Sequence, residues 1–308
     1  MSFVKRILPA LLLGACLSLL SGCWNGRLLI AMDQPAWSAE DGDSLLHWPL
    51  VKASLRHGYL PSFLLVQPQE DPGARIMKAL TARHYRAAVL GPILSSYQGA
   101  ITPFGTRLLI VDDESAPPQG NNARLEFDRA AAFRTAGLAA GLSISQESGG
   151  TVTNALASRV GILVSARPPG TGAELAAFSQ GVAQALDGGQ PSMESLPVPI
   201  DRNAVKAAVD QMRRDGVEIF LLFMGAPDGW ALEDLKDSGG SAVVSDWAAS
   251  GAFPRQVFLS IQTDFVGGVS RFLAGRMDAQ GVVSGPVRLV AGRARAVPAQ
   301  VSTQVARR

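Results

Sequence analysis

The chain has 308 residues, with 28 lysines and arginines against 26 aspartates and glutamates and a formal net charge of +2. Hydrophobic residues make up 47% and charged ones 18%, with 32 Gly and 19 Pro scattered without a period. That composition excludes disorder, collagen and coiled coil, and the length predicts a globular α/β protein of two packed units. Lys5 and Arg6 account for the basic excess and a few arginines gather at the end (Arg293, Arg295, Arg307, Arg308), so no nucleic-acid partner is expected, since such partners demand concentrated positive charge.

Residues 1–22 read as a signal peptide: a short basic start, an apolar run of residues 7–20, and small residues up to Cys23. The run is shorter than the roughly 20 apolar residues of a permanent bilayer span. Its end, Leu20-Ser21-Gly22-Cys23, resembles the lipobox of bacterial lipoproteins, which implies that Cys23 becomes the first residue and carries acyl chains such as palmitate. Cys16 falls in the discarded run, so the mature domain has no internal disulfide, and acylation removes the one exported thiol. The expected location is the bacterial cell envelope, tethered to a membrane.

After Cys23 the pattern alternates. Strands are predicted over 27–32, 62–67, 87–90 and 107–111, with helices over 45–59 and 71–84; Asp71-Pro72 supplies a cap and a first-turn proline. The run 125–127 leads into a helix over 130–142, and a Gly/Ser/Thr-rich break over 148–154 closes this half. A second half follows, with strands over 159–165, 195–200, 217–224, 242–245 and 257–261. Its helices are expected over 171–186, 201–215, 231–237 and 265–274. The final stretch, 287–308, is open between an edge hairpin and a frayed tail, with 288–290 and 295–297 around Gly292 suggesting the hairpin. Strands alternating with helices of 10 to 15 residues imply two lobes, each a parallel sheet flanked by helices.

In open parallel sheets ligands bind beyond the carboxyl ends of the strands. Polar residues follow the strands here: Asp33, Gln34 and Trp37 in the first half, then Ser95 and Tyr97, then Asp112 and Asp113; in the second half Arg167, Gly225 with Asp228, Asp246 with Trp247, and Gln262 to Asp264. Trp37 and Trp247 each lie near an aspartate, a pairing of aromatic face and carboxylate suited to a ring-shaped ligand with hydroxyl or amino donors. The three histidines, His47, His57 and His84, sit within or beside helices rather than at strand ends. There is no Gly-x-Ser-x-Gly elbow, no His-Glu-x-x-His and no cysteine cluster, and the Gly170-Thr171-Gly172 loop places Leu175 where a dinucleotide fingerprint needs glycine. Neither enzymatic activity, nor a metal, nor a cofactor is expected.

The stretch 126–140, opening Glu126-Phe127-Asp128-Arg129 before an Ala/Gly-rich helix, the run Arg159-Val160-Gly161-Ile162 followed by Phe178-Ser179-Gln180-Gly181-Val182, and Gly216-Val217-Glu218-Ile219-Phe220 with Gly225 are similar to stretches of the type I periplasmic-binding-protein fold. Within that fold the chain most resembles the basic-membrane-protein (BMP) lipoproteins, whose ligands include purine nucleosides. That group's Asp-x-Ser-Phe-Asn stretch is here Asp33-Gln34-Pro35-Ala36-Trp37. The resemblance implies lobe 1 over 23–130, with 260–308 returning to it, and lobe 2 over 131–259. It implies an interlobe cleft with Asp33, Trp37, Ser95 and Asp112 on one side and Arg167, Phe223, Asp246 and Trp247 on the other. Asp246 would accept hydrogen bonds from ligand hydroxyls and Trp37 would stack. The function implied is a substrate-binding lipoprotein delivering a small polar ligand, nucleoside-like or sugar-like, to an ABC-type permease. The alternative is an envelope lipoprotein using the fold as a protein-interaction or regulatory module. Cys23→Ala is expected to release the protein into the soluble envelope fraction; membrane retention of that variant, with no lipid label on the wild type, refutes the anchor.

Overall fold

The computed structural model describes residues 25–34, 37, 42–67, 69–101, 104–111, 122–150, 152–165, 172–197, 200–225, 227–245 and 251–306. The predicted leader with Cys23, and Asp112, Arg167, Asp246 and Trp247, lie outside them. The chain divides into two units: unit 1 takes 1–36, 43–125 and 266–283, and unit 2 takes 37–42, 126–265 and 284–308.

Unit 1 is built on β1 (Gly26–Asp33), β2 (Tyr59–Val66), β3 (Ala87–Leu90), β4 (Arg107–Val111) and the start of β5 (Ala123–Phe127). The pairs β1 with β2, β1 with β3, β3 with β4 and β4 with β5 are parallel. A later strand, β11 (Val282–Gly285), takes the edge beyond β5. The central strands are continuous apolar runs, buried from Leu28 to Met32 and throughout Ala87–Leu90, as parallel strands covered on both faces must be. Helix α1 (His47–Arg56) packs on β2. Helix α2 (Pro72–Ala82) starts where the sequence predicts: the Asp71 carboxylate accepts the Gly73 and Ala74 N–H groups at 2.9 and 3.3 Å. Ile76 and Leu80, one turn apart, bury its inner face. A 3₁₀ turn, Pro92–Tyr97, runs into the single-turn helix α3 (Gln98–Ile101).

In unit 2, helix α4 (Ala130–Glu147) precedes β6 (Val160–Ser165), and α5 (Gly172–Ala185) precedes β7 (Ser192–Leu196). Next come α6 (Arg202–Arg214), β8 (Ile219–Phe223), α7 (Asp228–Ser238), β9 (Ser241–Val244) and β10 (Val257–Thr263). Helix α8 (Phe265–Leu273) leads back into unit 1, and β12 (Val287–Ala291) and β13 (Val305–Ala306) finish the second sheet. Its order is β13-β12-β10-β9-β8-β6-β7. Strands β7, β6, β8, β9 and β10 are parallel to their neighbours, whereas β12 joins β10 antiparallel, so this sheet is mixed. Helix α6 shows its burial in its spacing: Val205, Ala208, Val209 and Met212 form one stripe, and the Asp201 carboxylate caps it on the Ala204 N–H at 2.9 Å.

Two sequence expectations change at the end of the chain. Residues 288–290 are indeed extended, but β12 pairs with β10 and β13, not with 295–297, which is not a strand. Arg295 explains why that stretch is held out of a hairpin: its guanidinium reaches Ser241 Oγ at 2.8 Å, Glu147 at 2.5 Å and Glu218 at 3.3 Å. Glu218 also accepts from Arg159 at 2.6 Å. Burial pushes the Glu218 carboxyl up, but hydrogen bonds and charge from the two arginines outweigh it and hold its pKa below the usual value. The tail is thereby pinned to unit 2, and only 266–283 returns to unit 1 rather than the whole of 260–308.

The tightest packing in unit 2 joins α4 to α5. A methyl group on Gly181 would strike the Arg134 carbonyl, and one on Gly137 the Phe178 carbonyl, so each helix presents a bare backbone to the other. Phe133, Ala136, Ala140, Phe178 and Val182 fill the flanks, all fully buried. Gly181→Ala is expected to lower the stability of the chain by about 1–3 kcal/mol through forced separation of these helices; chemical denaturation checks it, and an unchanged midpoint would show that the backbones are not in contact.

Candidate ligand site at the strand ends

Unit 1 brings two of the sequence-predicted residues to one end of its sheet. Asp33 ends β1 opposite Val66 of β2 and is 5% exposed; Gly91, just after β3, donates its N–H to the Ala31 carbonyl at 2.9 Å. A Cβ on Gly91 would lie 3.4 Å from the Asp33 carboxylate and 3.0 Å from Met32 Sδ, so the missing side chain leaves the carboxylate its place. Ser95, also buried, stands in the 3₁₀ turn after β3, which packs against β1. Gln34 and Gln67, which follow β1 and β2, meet at 3.4 Å.

Trp37 departs from the expectation. It is 2% exposed, belongs with unit 2, and has Gly42 directly against its indole. The ring face toward Gly42 is therefore covered by protein and does not serve as an open stacking plate.

In unit 2, Phe223 ends β8 half-buried, edge-on to Phe133 with ring centroids 5.3 Å apart at 73°. Beyond it the chain turns at Gly225, whose φ of +78° favours glycine, and enters α7 at Asp228. Asp228 is fully buried, and its Oδ1 accepts the Met224 N–H at 2.9 Å, locking the strand end to the helix start. The sequence shows Asp228 among the polar residues after strands, yet nothing in it distinguishes this loop-locking carboxylate from a solvent-facing one. Gln262 and Ser260 are buried on β10 and hydrogen-bonded at 3.1 Å.

Sequence reasoning also missed a charged pair. Arg129, just before α4, lies 3.6 Å from Glu174 in the first turn of α5, and its guanidinium sits 5.7 Å from the centre of the Phe127 ring. Glu174 follows the loop after β6, so this pair lies at the same end of the unit 2 sheet as Phe223. Its signal in the sequence was a lone acidic residue in a helix's first turn, which a favourable helix dipole already accounts for. Together these positions offer acceptors, donors and an aromatic edge. Among the described residues no group of three His, Cys, Asp or Glu is placed to hold a metal ion.

No protein-family model and no curated protein matches the chain. Solved structures do. A solute-binding protein of an ABC transporter system from Aeropyrum pernix aligns with TM-score 0.63 at 15% identity, over 85% of this chain and 76% of that one. A transcriptional activator of the comK gene from Bacillus halodurans aligns with TM-score 0.67 at 14% identity, over 91% and 94%. A LacI transcriptional regulator from a Rhodococcus species aligns with TM-score 0.59 at 17% identity, over 91% and 100%. Likeness at such identities concerns the fold, which these chains lend to different tasks.

Asp228→Ala is expected to cost about 1–3 kcal/mol by stranding the buried Met224 N–H; the melting transition measures it, and an unshifted transition would place the lock elsewhere. The chain thus has the α/β fold of type I periplasmic-binding proteins, common to solute-binding proteins of ABC systems and to LacI-type regulators.

Proposed function

We propose that this chain is a membrane-anchored substrate-binding lipoprotein that captures a small polar ligand, nucleoside-like or sugar-like, for an ABC-type permease. The observation that carries the reading is the polar lining at the carboxyl ends of the parallel strands: buried Asp33 and Ser95 in unit 1, and the half-buried Arg129–Glu174 pair at the same end of the unit 2 sheet as Phe223. A carboxylate and a hydroxyl held by strand ends read ligand hydroxyl or amino groups, an arginine reads an acceptor, and Phe223 offers an aromatic edge. Asp112, Arg167, Asp246 and Trp247 are proposed to complete the set from the loops after β4, β6 and β9, with Asp246 accepting from ligand hydroxyls. The nucleoside-like option follows the resemblance to the BMP group, and the anchor follows Cys23.

Binding to the folded state alone adds RT ln(1 + [L]/Kd), about 2.7 kcal/mol at a hundredfold excess over Kd. A member of a panel of nucleosides, sugars and amino acids is therefore expected to raise the melting temperature of the purified protein, and Asp33→Asn to weaken that binding about tenfold through loss of a charge-assisted bond. No shift across the panel, with no small molecule retained on purification by mass spectrometry, overturns the transport reading. One observation favours a second reading. The covered face of Trp37 removes the stacking plate expected in unit 1, which suits an envelope lipoprotein whose fold serves a protein partner; a protein captured in place of any ligand would support it.

A further inference from the structure

Strand direction sorts the charges of unit 1. Residues that precede parallel strands collect at the amino end of the sheet, and here they are arginines. Arg27 opens β1, Arg86 precedes β3 and Arg107 opens β4, side by side: the Arg86 N–H bonds the Arg27 carbonyl at 3.0 Å, and the Arg107 N–H bonds the Arg86 carbonyl at 3.0 Å. Arg56 and His57 precede β2. Helix α8 finishes at the same end, since the Arg107 guanidinium bonds the Phe272 carbonyl at 3.2 Å and His57 meets Ser270 Oγ at 2.9 Å. Burial first, then the charges of Arg56 and Arg276, lowers the His57 pKa, which puts Arg276 in the same group.

Arg27, Arg56, Arg83, Arg86 and Arg276 are all exposed, and none makes an ion pair among the described residues. The carboxylates lie elsewhere. Asp33, Glu70 and Asp71 follow strands, at the carboxyl end, and Asp43 lies in the connection after β1. Asp278 alone among the described carboxylates of unit 1 sits near the amino end, and it is occupied by the N–H groups of Gln280 and Val282 at 2.9 and 2.7 Å. Unit 2 handles its amino end differently, pairing Arg159 and Arg295 with Glu147 and Glu218.

The chain enters unit 1 at this arginine end. The Asn25 N–H bonds the Gly58 carbonyl at 2.6 Å, its side-chain amide bonds the His57 carbonyl at 2.7 Å, and the Arg86 stem lies against Gly26. Cys23 is two residues earlier, within about 7 Å of chain. We propose that the arginine-bearing end of unit 1 docks on the anionic lipid headgroups of the membrane that holds the acylated Cys23; it rests on the anchored reading above. Guanidinium forks pair phosphate oxygens bidentately, and a basic surface is the usual second signal beside an acyl chain. Docked so, unit 1 keeps Asp33 and Ser95 about 26 Å from the headgroups, the length of β1.

The test uses the purified whole protein, wild type and Arg27→Glu/Arg86→Glu/Arg276→Glu. Partition is measured onto vesicles of phosphatidylcholine alone and onto vesicles mixed with phosphatidylglycerol, at low and high salt. The acyl contribution is common to both lipids. The anionic vesicles are expected to be preferred by about three-thousandfold, at roughly fivefold for each of the five exposed arginines, and the preference should vanish in high salt and in the triple variant with its melting temperature unchanged. A second variant, Arg56→Glu/Arg83→Glu, should halve the logarithm of the preference or more. Equal partition onto the two lipids, a preference that survives both variants, or duplex DNA displacing the protein from anionic vesicles at physiological salt overturns the proposal. Mass spectrometry of Cys23 reads the anchor separately: its absence removes the anchored reading, while the difference between vesicles still decides the face.

Discussion

Parallel strand direction is the constraint on which everything else in this molecule depends. Once β1, β2, β3 and β4 run the same way, whatever follows a strand is delivered to one end of unit 1 and whatever precedes it to the other. A set of polar strand-end residues and an arginine-bearing end then need no further machinery than the choice of residues at strand starts and strand ends. Asp33 and Ser95 owe their position to the first rule, and Arg27, Arg86 and Arg107 to the second.

The same rule holds for the parallel part of unit 2, but packing and pairing add their own terms. Helices α4 and α5 approach closely enough that Gly137 and Gly181 present carbonyl-to-backbone contact, and the first turns of the two helices bring Arg129 to Glu174. The opposite end is closed by charge. Arg295 clamps the tail onto Glu147 and Glu218 beside Arg159, an arrangement in which each guanidinium has an acceptor and Glu218 accepts from both arginines. Unit 2 is therefore neutralised at its amino end, whereas unit 1 is not.

Much of the fold was legible because local signals agreed with the tertiary outcome. Apolar runs such as Ala87–Leu90 were strands, and Asp71-Pro72 opened a helix. The errors came where a local signal had a non-local competitor. Residues 295–297 had hairpin spacing, but an ion-pair cluster contributed by residues far away in sequence held them apart from a ladder. Trp37 followed a strand as a ligand aromatic would, yet Gly42 covers its face. Asp228 and Glu174 gave too little signal, since their partners, the Met224 N–H and Arg129, are defined only by three-dimensional neighbours.

Most of the alternation of strands and helices, the Asp71-Pro72 helix start and the polar character of the strand ends were contained in the amino-acid sequence, because each depends on residues a few positions apart. Only the tertiary structure decided which of the polar residues meet, which aromatic is buried, and how charge is distributed. With 28 basic and 26 acidic residues the chain looks balanced when read in order. Folding sets most of the arginines of unit 1 at one end and most of its carboxylates at the other, with Arg75 paired to Glu70 as an exception, since hydrogen bonding between parallel strands aligns beginnings with beginnings, over distances along the chain that no local pattern spans.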